Sequence, residues 1–143
     1  MNKSFHYLIM VNAALFNKQV LTRLYALGLT PGQPKVLDFL CLHDGSMQKD
    51  IAFGCQIESA TLTGILKSME KKGMVERRIK NDNYRSSYVY LTEIGREKGE
   101  KVTEIFLEIE EKVFKGIEED EKEQFMDVFY KICSNMTDTE RLQ

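Results

Sequence analysis

The chain of 143 residues is poor in cysteine and histidine and contains no long apolar run. Its three cysteines, Cys41, Cys55 and Cys133, are too few and too scattered for a disulfide framework. No CxxC pattern accompanies the two histidines, so a zinc site is not predicted. No apolar run of about 18 residues could span a membrane, and no signal-peptide cleavage pattern is seen. These absences predict a soluble, cytoplasmic protein with reduced thiols and no bound metal.

An excess of charge of one sign is also missing, because 20 basic and 22 acidic residues leave a net charge of −2. The average hides an asymmetry along the chain. Seven basic residues stand against three acidic ones in residues 67–85, whereas six basic residues stand against twelve acidic ones in residues 93–123. A DNA duplex attracts the first segment and repels the second. The acidic segment is more simply explained as a solvated face, but the basic segment coincides with a predicted hairpin and points to function.

Catalytic motifs are missing as well. We find no nucleophile elbow, phosphate loop or paired-carboxylate motif, so catalytic residues and a cofactor are not predicted. The hydrophobic content of 43% is sufficient for a packed core, and 143 residues is a typical size for one domain. We therefore expect a binding protein, not an enzyme.

Helical periodicity dominates the N-terminal part of the chain. Residues 5–27 lack proline and glycine, and their apolar side chains recur at helical spacing on more than one face. Gly28 should end this helix. The next helix is predicted to begin near Pro31, with Gln33 completing a capping box and Pro34 making the first turn irregular.

Residues 46–95 have the order of parts of a winged helix-turn-helix. Apolar residues at helical spacing give way to two β-rich segments separated by a polar turn. The fold class is therefore mainly α with a small two-stranded β-wing. The predicted parts are a helix over 47–53, a turn at Gly54, a helix over 58–72 ended by Gly73, a strand over 74–80, a turn over 81–83 and a returning strand over 86–91.

The second helix of this unit begins with short hydrogen-bonding side chains. Such groups suit the end of a helix that enters the major groove, and Ser59, Thr61 and Thr63 provide them. Helix capping can account for one of the three but not for all. Glu58 either caps the helix, which is the more frequent role, or accepts a hydrogen bond from a cytosine amino group. Lys67 fits phosphate contact and plain solvation equally well.

The wing carries most of the basic side chains. Arg85 stands on the predicted hairpin with few structural partners and has the reach to enter a narrow minor groove. Arg77, Arg78 and Lys80 would contact phosphates. Because successive strand residues alternate between faces, Arg77 and Arg78 cannot both face DNA, and one of them should form a structural salt bridge.

The terminal helices are more apolar than a small winged domain requires. After residue 92, one helix should run to about residue 115, where Gly116 interrupts it, and a last helix should follow to residue 136. We expect these helices and the first helix to pair across a two-fold axis, although they could also pack on their own chain. The candidate dimerisation residues are Phe5, Leu8, Phe125, Phe129, Ile132 and Met136.

The central segment contains four recognisable strings, which are Gln48-Lys49-Asp50-Ile51-Ala52, Thr61-Leu62-Thr63, Lys71-Lys72-Gly73-Met74-Val75-Glu76-Arg77 and Leu91-Thr92-Glu93-Ile94-Gly95-Arg96. Together they resemble the MarR family of bacterial winged helix-turn-helix transcriptional regulators. The resemblance implies a single domain over residues 1–143, with a DNA-binding lobe over 30–95 and dimerisation helices over 1–28 and 96–140. It also implies a homodimer on a palindromic operator, with one helix in the major groove and the wing in the minor groove.

Many members of the family release DNA when a small phenolic or other ligand binds, or when a cysteine is oxidised, so a small aromatic effector is an expected partner.

Together, the residue chemistry and the resemblance give one set of candidate DNA contacts. The candidate DNA-binding residues are Gln48, Glu58, Ser59, Ala60, Thr61, Thr63, Lys67, Arg77, Arg78, Lys80, Asn83 and Arg85.

The chain departs from the family pattern at several positions. Asn83 replaces the acidic residue that usually orients the wing arginine, and Gly64 stands where many members have a large side chain. Met47 replaces the usual Ser or Thr cap, leaving Ser46 as a substitute. The first helix lacks the reactive cysteine of the hydroperoxide-sensing branch, and Cys55 fits a small core residue better than a redox switch.

Two hypotheses follow for the function. The first is a repressor that binds a palindromic operator and is released by a small molecule. The alternative is a winged-helix protein-interaction module that has lost DNA binding, which the altered wing and Gly64 would reflect.

Overall fold

A computed structural model of the chain describes residues 3–79 and 87–142. The described residues form six α-helices and a three-stranded antiparallel sheet, which confirms a mainly α fold with a small β-wing. The helices are α1 (Phe5–Leu24), α2 (Gln33–Leu42), α3 (Gln48–Cys55), α4 (Ser59–Lys71), α5 (Glu93–Val113) and α6 (Glu119–Met136). The strands are β1 (Ser46–Met47), β2 (Val75–Ile79) and β3 (Ser87–Leu91), and short 3-10 turns cover Tyr25–Leu27 and Thr139–Leu142.

The first helix ends where the sequence predicts. After α1 the 3-10 turn leads into Gly28, whose φ of 74° places it in the left-handed region. A residue without a Cβ adopts this conformation at little cost, and its N–H donates to the carbonyl of Tyr25 at 3.0 Å. Within α1 only Val20 and Leu24 are buried, so most of its apolar surface faces outward.

The start of α2 differs from the prediction. The helix begins at Gln33 after Gly32, which has a φ of 89°, and not near Pro31. Pro34 lies in the first turn and has no N–H to donate to the carbonyl of Thr30, which accepts the N–H of Gln33 at 3.1 Å instead. The irregularity predicted beside Pro34 is therefore present as the turn at Gly32 that precedes the helix. The Gln33 Oε1 accepts the N–H of Thr30 at 3.1 Å, which is one of the two hydrogen bonds of the predicted capping box, but the N-cap of α2 is Gly32 and not Thr30.

The turn between α3 and α4 is made by Gln56, not by Gly54 as predicted. Gln56 has a φ of 52°, and its N–H closes the end of α3 on the carbonyl of Phe53. Gly54 is instead helical, and a Cβ there would lie 2.3 Å from the ring of Phe39. The glycine is thus required for close packing between α2 and α3, which neither residue reveals in the sequence.

The sheet contains one more strand than predicted. The order is β1-β3-β2, and β1 adds Ser46 opposite Val89 and Met47 opposite Tyr88. Two residues are too few to give a recognisable alternation pattern, which explains why the sequence did not reveal this strand. The Ser46 hydroxyl donates to the carbonyl of His43 at 2.6 Å, so Ser46 does not substitute for a missing cap on α3.

The base of the wing is attached to the start of α5. Thr92 caps α5 by accepting the N–H of Gly95 at 3.0 Å and donates its own hydroxyl proton to the carbonyl of Gly73 at 2.6 Å. A Cβ on Gly95 would lie 1.9 Å from the carbonyl oxygen of Met74. These contacts give a physical reason for the Thr and Gly positions in the string at residues 91–96.

The core lies between α2, α3, α4, α5 and the sheet, and the end of α1 adds Val20 and Leu24 to it. Helix α6 contributes no buried residue to the described structure. A Phe16–Phe106 ring stack and an Arg23–Glu108 ion pair join α1 to α5. No helix in residues 3–79 and 87–142 is long and apolar enough to cross a membrane. The fully buried core side chains include Leu24, Val36, Leu37, Leu40, Ile51, Leu62, Leu66, Met69, Met74, Val89 and Val102.

Candidate nucleic-acid interface

Helix α4 has one face in the core and the opposite face in solvent. Leu62, Leu66 and Met69 are fully buried against the rest of the lobe. The outward face starts with Ala60, continues through Gly64 and reaches Lys67, all of which are exposed. Apart from its chain neighbours and the backbone of α4 itself, no described atom lies within 4 Å of a Cβ built on Gly64. The helix therefore presents a narrow, open ridge that a groove could approach closely.

The first residues of α4 are exposed but do not cap it with their side chains. Glu58 is the N-cap residue, yet its carboxylate makes no capping hydrogen bond in the described structure. The capping role that we expected to be the more frequent one is therefore wrong for the Glu58 side chain. Ser59 and Thr61 are exposed, and among the described residues no side-chain partner is assigned to the Thr61 hydroxyl. These side chains remain available at the N-terminal end of the helix.

One flank of α4 is held by a polar network that we call the Gln48 network, consisting of Gln48, Thr63, Glu70 and Arg77. The Gln48 Nε2 donates to the Thr63 Oγ1 at 2.8 Å, and its Oε1 accepts from the Arg77 Nη1 at 3.1 Å. Arg77 also donates through Nε to the Glu70 carboxylate at 2.6 Å. The network thus connects α3, α4 and β2.

The opposite flank of α4 is held by the buried side chain of Gln33. Its Nε2 donates to the Ser68 Oγ at 3.2 Å, and its Oε1 lies 3.5 Å from the Lys72 ammonium. Lys72 also donates to the carbonyl of Gly28 at 3.0 Å. Because Gln33 is only 1% exposed, its hydrogen bonds form away from water and fix α4 against α2.

The two neighbouring arginines of β2 point to opposite faces, as strand alternation predicts. Arg77 reaches α3 and α4, whereas Arg78 lies with its guanidinium 4.1 Å from the ring centroid of Tyr90. Arg78 also pairs with Glu76 at 2.8 Å, so both arginines take part in salt bridges where we expected one. The hydrogen bond from Arg78 to Glu76 raises the pKa of the guanidinium.

Three of the predicted wing contacts, Lys80, Asn83 and Arg85, lie outside the described residues. The described strands lead toward them, since β2 ends at Ile79 opposite Ser87 at the start of β3.

Asp44 is a structural link beneath the candidate interface that sequence reasoning missed. Its Oδ1 accepts the N–H of Leu91 at 2.8 Å, and its Oδ2 pairs with Arg96 at 3.1 Å. The carboxylate therefore joins the end of α2 to the junction between β3 and α5. An Asp before Gly45 looks like an ordinary turn residue in the sequence, and Gln33 likewise looks like no more than a capping residue. Only their distant partners reveal these roles.

A shallow cleft of about 270 Å³ opens between α2, α3 and α5. Its walls include Phe39, Phe106, Leu42 and Lys35, together with Cys55. Burial raises the pKa of the Cys55 thiol to about 11, and Lys35 opposes this shift only in part. The thiol is therefore protonated at neutral pH, which fits the core residue that we preferred over a redox switch.

The other ionisable candidates form no metal site within the described part of the chain. Cys41 is half-buried, and burial raises the pKa of its thiol, opposed by the nearby Arg96 charge. His43 ends α2 with its ring centroid 4.8 Å from that of Phe39.

Comparisons with known proteins agree with this architecture. A model described as the MarR family matches residues 29–87, which cover α2 to the start of β3. Over these residues the chain resembles the MarR family. Its relatives include YdgJ of Bacillus subtilis strain 168, an uncharacterized HTH-type transcriptional regulator that is 29% identical over 113 residues, or 79% of this chain and 69% of YdgJ.

Solved structures of transcription regulators have the same fold over nearly the whole chain. A transcriptional regulator from Silicibacter pomeroyi has a TM-score of 0.82 and 26% identity, covering 92% of this chain and 89% of its own. MepR of S. aureus, in a complex with DNA, has a TM-score of 0.81 and 26% identity, covering 94% of this chain and 97% of its own. The chain is therefore a winged helix-turn-helix transcriptional regulator, the function class that the motifs indicated.

Proposed function

We propose that this MarR-like regulator binds double-stranded DNA as a homodimer and represses transcription from a palindromic operator. The observation that carries the proposal is the outward face of α4, which is exposed, free of bulky side chains at Ala60 and Gly64, and fixed on both flanks. A helix held in this way can enter a major groove without first having to become ordered. Ser59 and Thr61 at its N-terminal end have the chemistry to contact base edges or phosphates.

Basic side chains on and beside this face supply the attraction to phosphate. Lys67 and Lys71 are exposed on α4, and Lys67 lies on the same outward ridge as Gly64. Arg78 is exposed on the neighbouring strand, although its pairing with Glu76 reduces the net charge it offers. Lys80, Asn83 and Arg85 complete the proposed contact set at the wing. MepR, a relative with the same fold, is known in complex with DNA, which supports this assignment.

The homodimer is supported by apolar surface on the terminal helices. Phe5 on α1 is 56% exposed, and Phe125 on α6 is 50% exposed. Leu8, Phe129, Ile132 and Met136 add to the same kind of surface, which is larger than single scattered apolar residues would produce. A second copy of the chain, paired across a two-fold axis, would cover it and present two α4 helices to two half-sites.

A small aromatic effector is the third part of the proposal. The cleft beside Cys55 combines the rings of Phe39 and Phe106 with the cationic Lys35, a combination suited to an aromatic acid. A ligand bound between α2, α3 and α5 would change how α2 and α3 pack against α4. A thermal-shift screen with aromatic carboxylic acids should reveal stabilisation, and a flat response across diverse compounds would contradict this part alone.

The test of DNA binding is selection of the bound sequence from random duplexes, followed by anisotropy titration at several salt concentrations. We expect a palindromic sequence that is preferred over random duplex by about a thousandfold or more. A control duplex with one half-site scrambled should bind more weakly, because only one α4 of the dimer would then find its site. If no sequence is enriched, the proposal fails and the alternative of a protein-interaction module is favoured.

A further inference from the structure

We infer that Gln48 is a positioning residue that aligns α4 with the wing strand β2 and thereby sets operator selectivity, while Thr63 and Arg77 act within the protein instead of on DNA. This inference rests on the proposed function. It revises the simplest assignment of these three side chains, which treats each as a separate DNA contact.

The geometry places Gln48 between two elements that must reach different parts of a duplex. Its amide nitrogen is 2.8 Å from Thr63 on α4, and its amide oxygen is 3.1 Å from Arg77 on β2. Both distances are those of good hydrogen bonds. The planar amide of Gln48 thus bridges α4 and β2, the strand that leads into the wing. The backbone of Gln48 is itself held in place as the first residue of α3.

The Thr63 hydroxyl is already engaged inside the protein. It donates its only proton to the carbonyl of Ser59 at 3.0 Å and accepts the amide proton of Gln48 at 2.8 Å. A hydroxyl has one donor and two acceptor positions, so Thr63 cannot donate to a base without giving up a bond within the helix. By contrast, Thr61 lies two residues earlier with an exposed side chain, and no hydroxyl partner is assigned to it among the described residues.

Arg77 is likewise engaged by neighbours on two elements. Its guanidinium donates to Glu70 at 2.6 Å and to Gln48, and its side chain is only 23% exposed. The carboxylate of Glu70 neutralises the charge that a phosphate would otherwise attract. A planar guanidinium with two directed hydrogen bonds is better suited to fixing an angle between elements than to making a long-range contact.

The consequence is that the network controls where α4 and the wing sit relative to each other. The spacing between a major-groove helix and the wing determines whether both can engage one half-site. An error of alignment would therefore weaken binding to the correct operator more than binding to random duplex, where fewer base contacts are made.

The experiment compares Gln48→Ala, Thr63→Val and their double variant on the selected operator and on random duplex. Each single substitution should reduce the preference for the operator by about tenfold, the effect of roughly one mismatched base pair. The double variant should lose no more than Gln48→Ala alone, because that substitution already removes the hydrogen bond between Gln48 and Thr63. Thr63→Ser, which keeps the hydroxyl, should restore the wild-type preference.

The matched control is Thr61→Val, which removes an exposed hydroxyl from the same helix. Its effect should add to that of Gln48→Ala, since the two side chains do not share a partner. Additive effects of Gln48→Ala and Thr63→Val would overturn the inference and assign both as independent contacts. Unchanged operator preference in both single variants would overturn it too.

A readout on the free protein separates this inference from the proposed function. The Gln48 side-chain amide protons, followed by NMR without DNA, should exchange slowly in the wild type and faster in Thr63→Val. Equal exchange in the two proteins would contradict the network whatever the DNA result. Protected protons in a protein that enriches no operator would instead leave the network in place and reject operator binding. Melting curves at one protein concentration confirm that each variant is folded.

Discussion

At the scale of single residues, two glycines of the DNA-binding lobe have opposite surroundings. Gly95 lies where α5 passes the base of the wing, and a side chain there would overlap the backbone of Met74. Gly64 lies on the outward ridge of α4 with open space around it. The same residue type is thus a packing requirement in one place and an unused helix position in the other.

We expect Gly95→Ala to lower the free energy of unfolding by about 1–3 kcal/mol, the usual cost of overpacking. Gly64→Ala should raise it by up to about 1 kcal/mol, because alanine favours the helix and meets no neighbour. Urea unfolding at equal protein concentration measures both, and the two variants serve as controls for each other. Equal changes in both would show that their surroundings do not decide the outcome.

Cys55 provides a second prediction at this scale. Burial keeps its thiol protonated, so a variant with Cys41→Ser and Cys133→Ser should react with iodoacetamide at pH 8 at least about tenfold more slowly when folded than when unfolded in urea. Because the pKa of the thiol is higher in the folded state, about 11, than in the unfolded state, 9.0, the protonated thiol contributes to the free energy of unfolding. This contribution is fully present below pH 9.0 and is lost as the pH rises through about 11. Equal rates in both states would contradict the burial.

At the scale of elements, α4 is the part that the rest of the lobe is arranged to hold. Gln33 fixes it from α2, and the Gln48 network fixes it from α3 and β2. Its remaining face carries Lys67 and Lys71, whose charges are free of the salt bridges described for the arginines of β2.

Lys67→Gln should therefore weaken DNA binding on all sequences to a similar extent and make the slope of log K against log salt less steep by about 1. Lys101→Gln, which removes an exposed lysine from the acidic helix α5, is the matched control and should leave the slope unchanged. An unaltered slope in Lys67→Gln, with the control behaving as expected, would show that this lysine is merely solvated. Anisotropy titrations between low and moderate salt supply the slopes.

At the scale of the whole molecule, the lobe and the terminal helices differ in how much of their apolar surface is buried within the chain. The lobe buries its own core, whereas α6 leaves Phe125, Phe129 and Met136 exposed. Placing a charge in an apolar surface between two copies is unfavourable, because the charge would lose its hydration without gaining a partner.

We expect the wild-type protein to sediment as a dimer and Phe129→Glu to sediment as a monomer over the same concentration range. Ile94→Glu introduces the same charge at an exposed apolar position of the lobe and should remain dimeric. The monomeric variant should also lose most of its operator affinity, since a single α4 engages only one half-site. A dimeric Phe129→Glu would remove Phe129 from the proposed interface.

Much of the site follows from the sequence because its signals are local. The helical spacing of Leu62, Leu66 and Met69, the small and polar residues at the start of α4, and the alternation of Arg77 and Arg78 depend only on backbone geometry. Periodicity therefore determined which face of α4 is buried and which is outward. The four strings of the central segment, including the one at residues 91–96, likewise indicated the resemblance to the MarR family before any contact was known.

Only the tertiary structure decided the contacts between residues that lie far apart in the chain. Gln48 meets Thr63 and Arg77 across 15 and 29 positions, and Gln33 meets Ser68 across 35. Polar side chains such as these can face water, a ligand or another element, and spacing along one element does not distinguish among the three. Hydrogen bonding across elements resolves that choice, because a buried or half-buried polar group must find a partner where the fold places it.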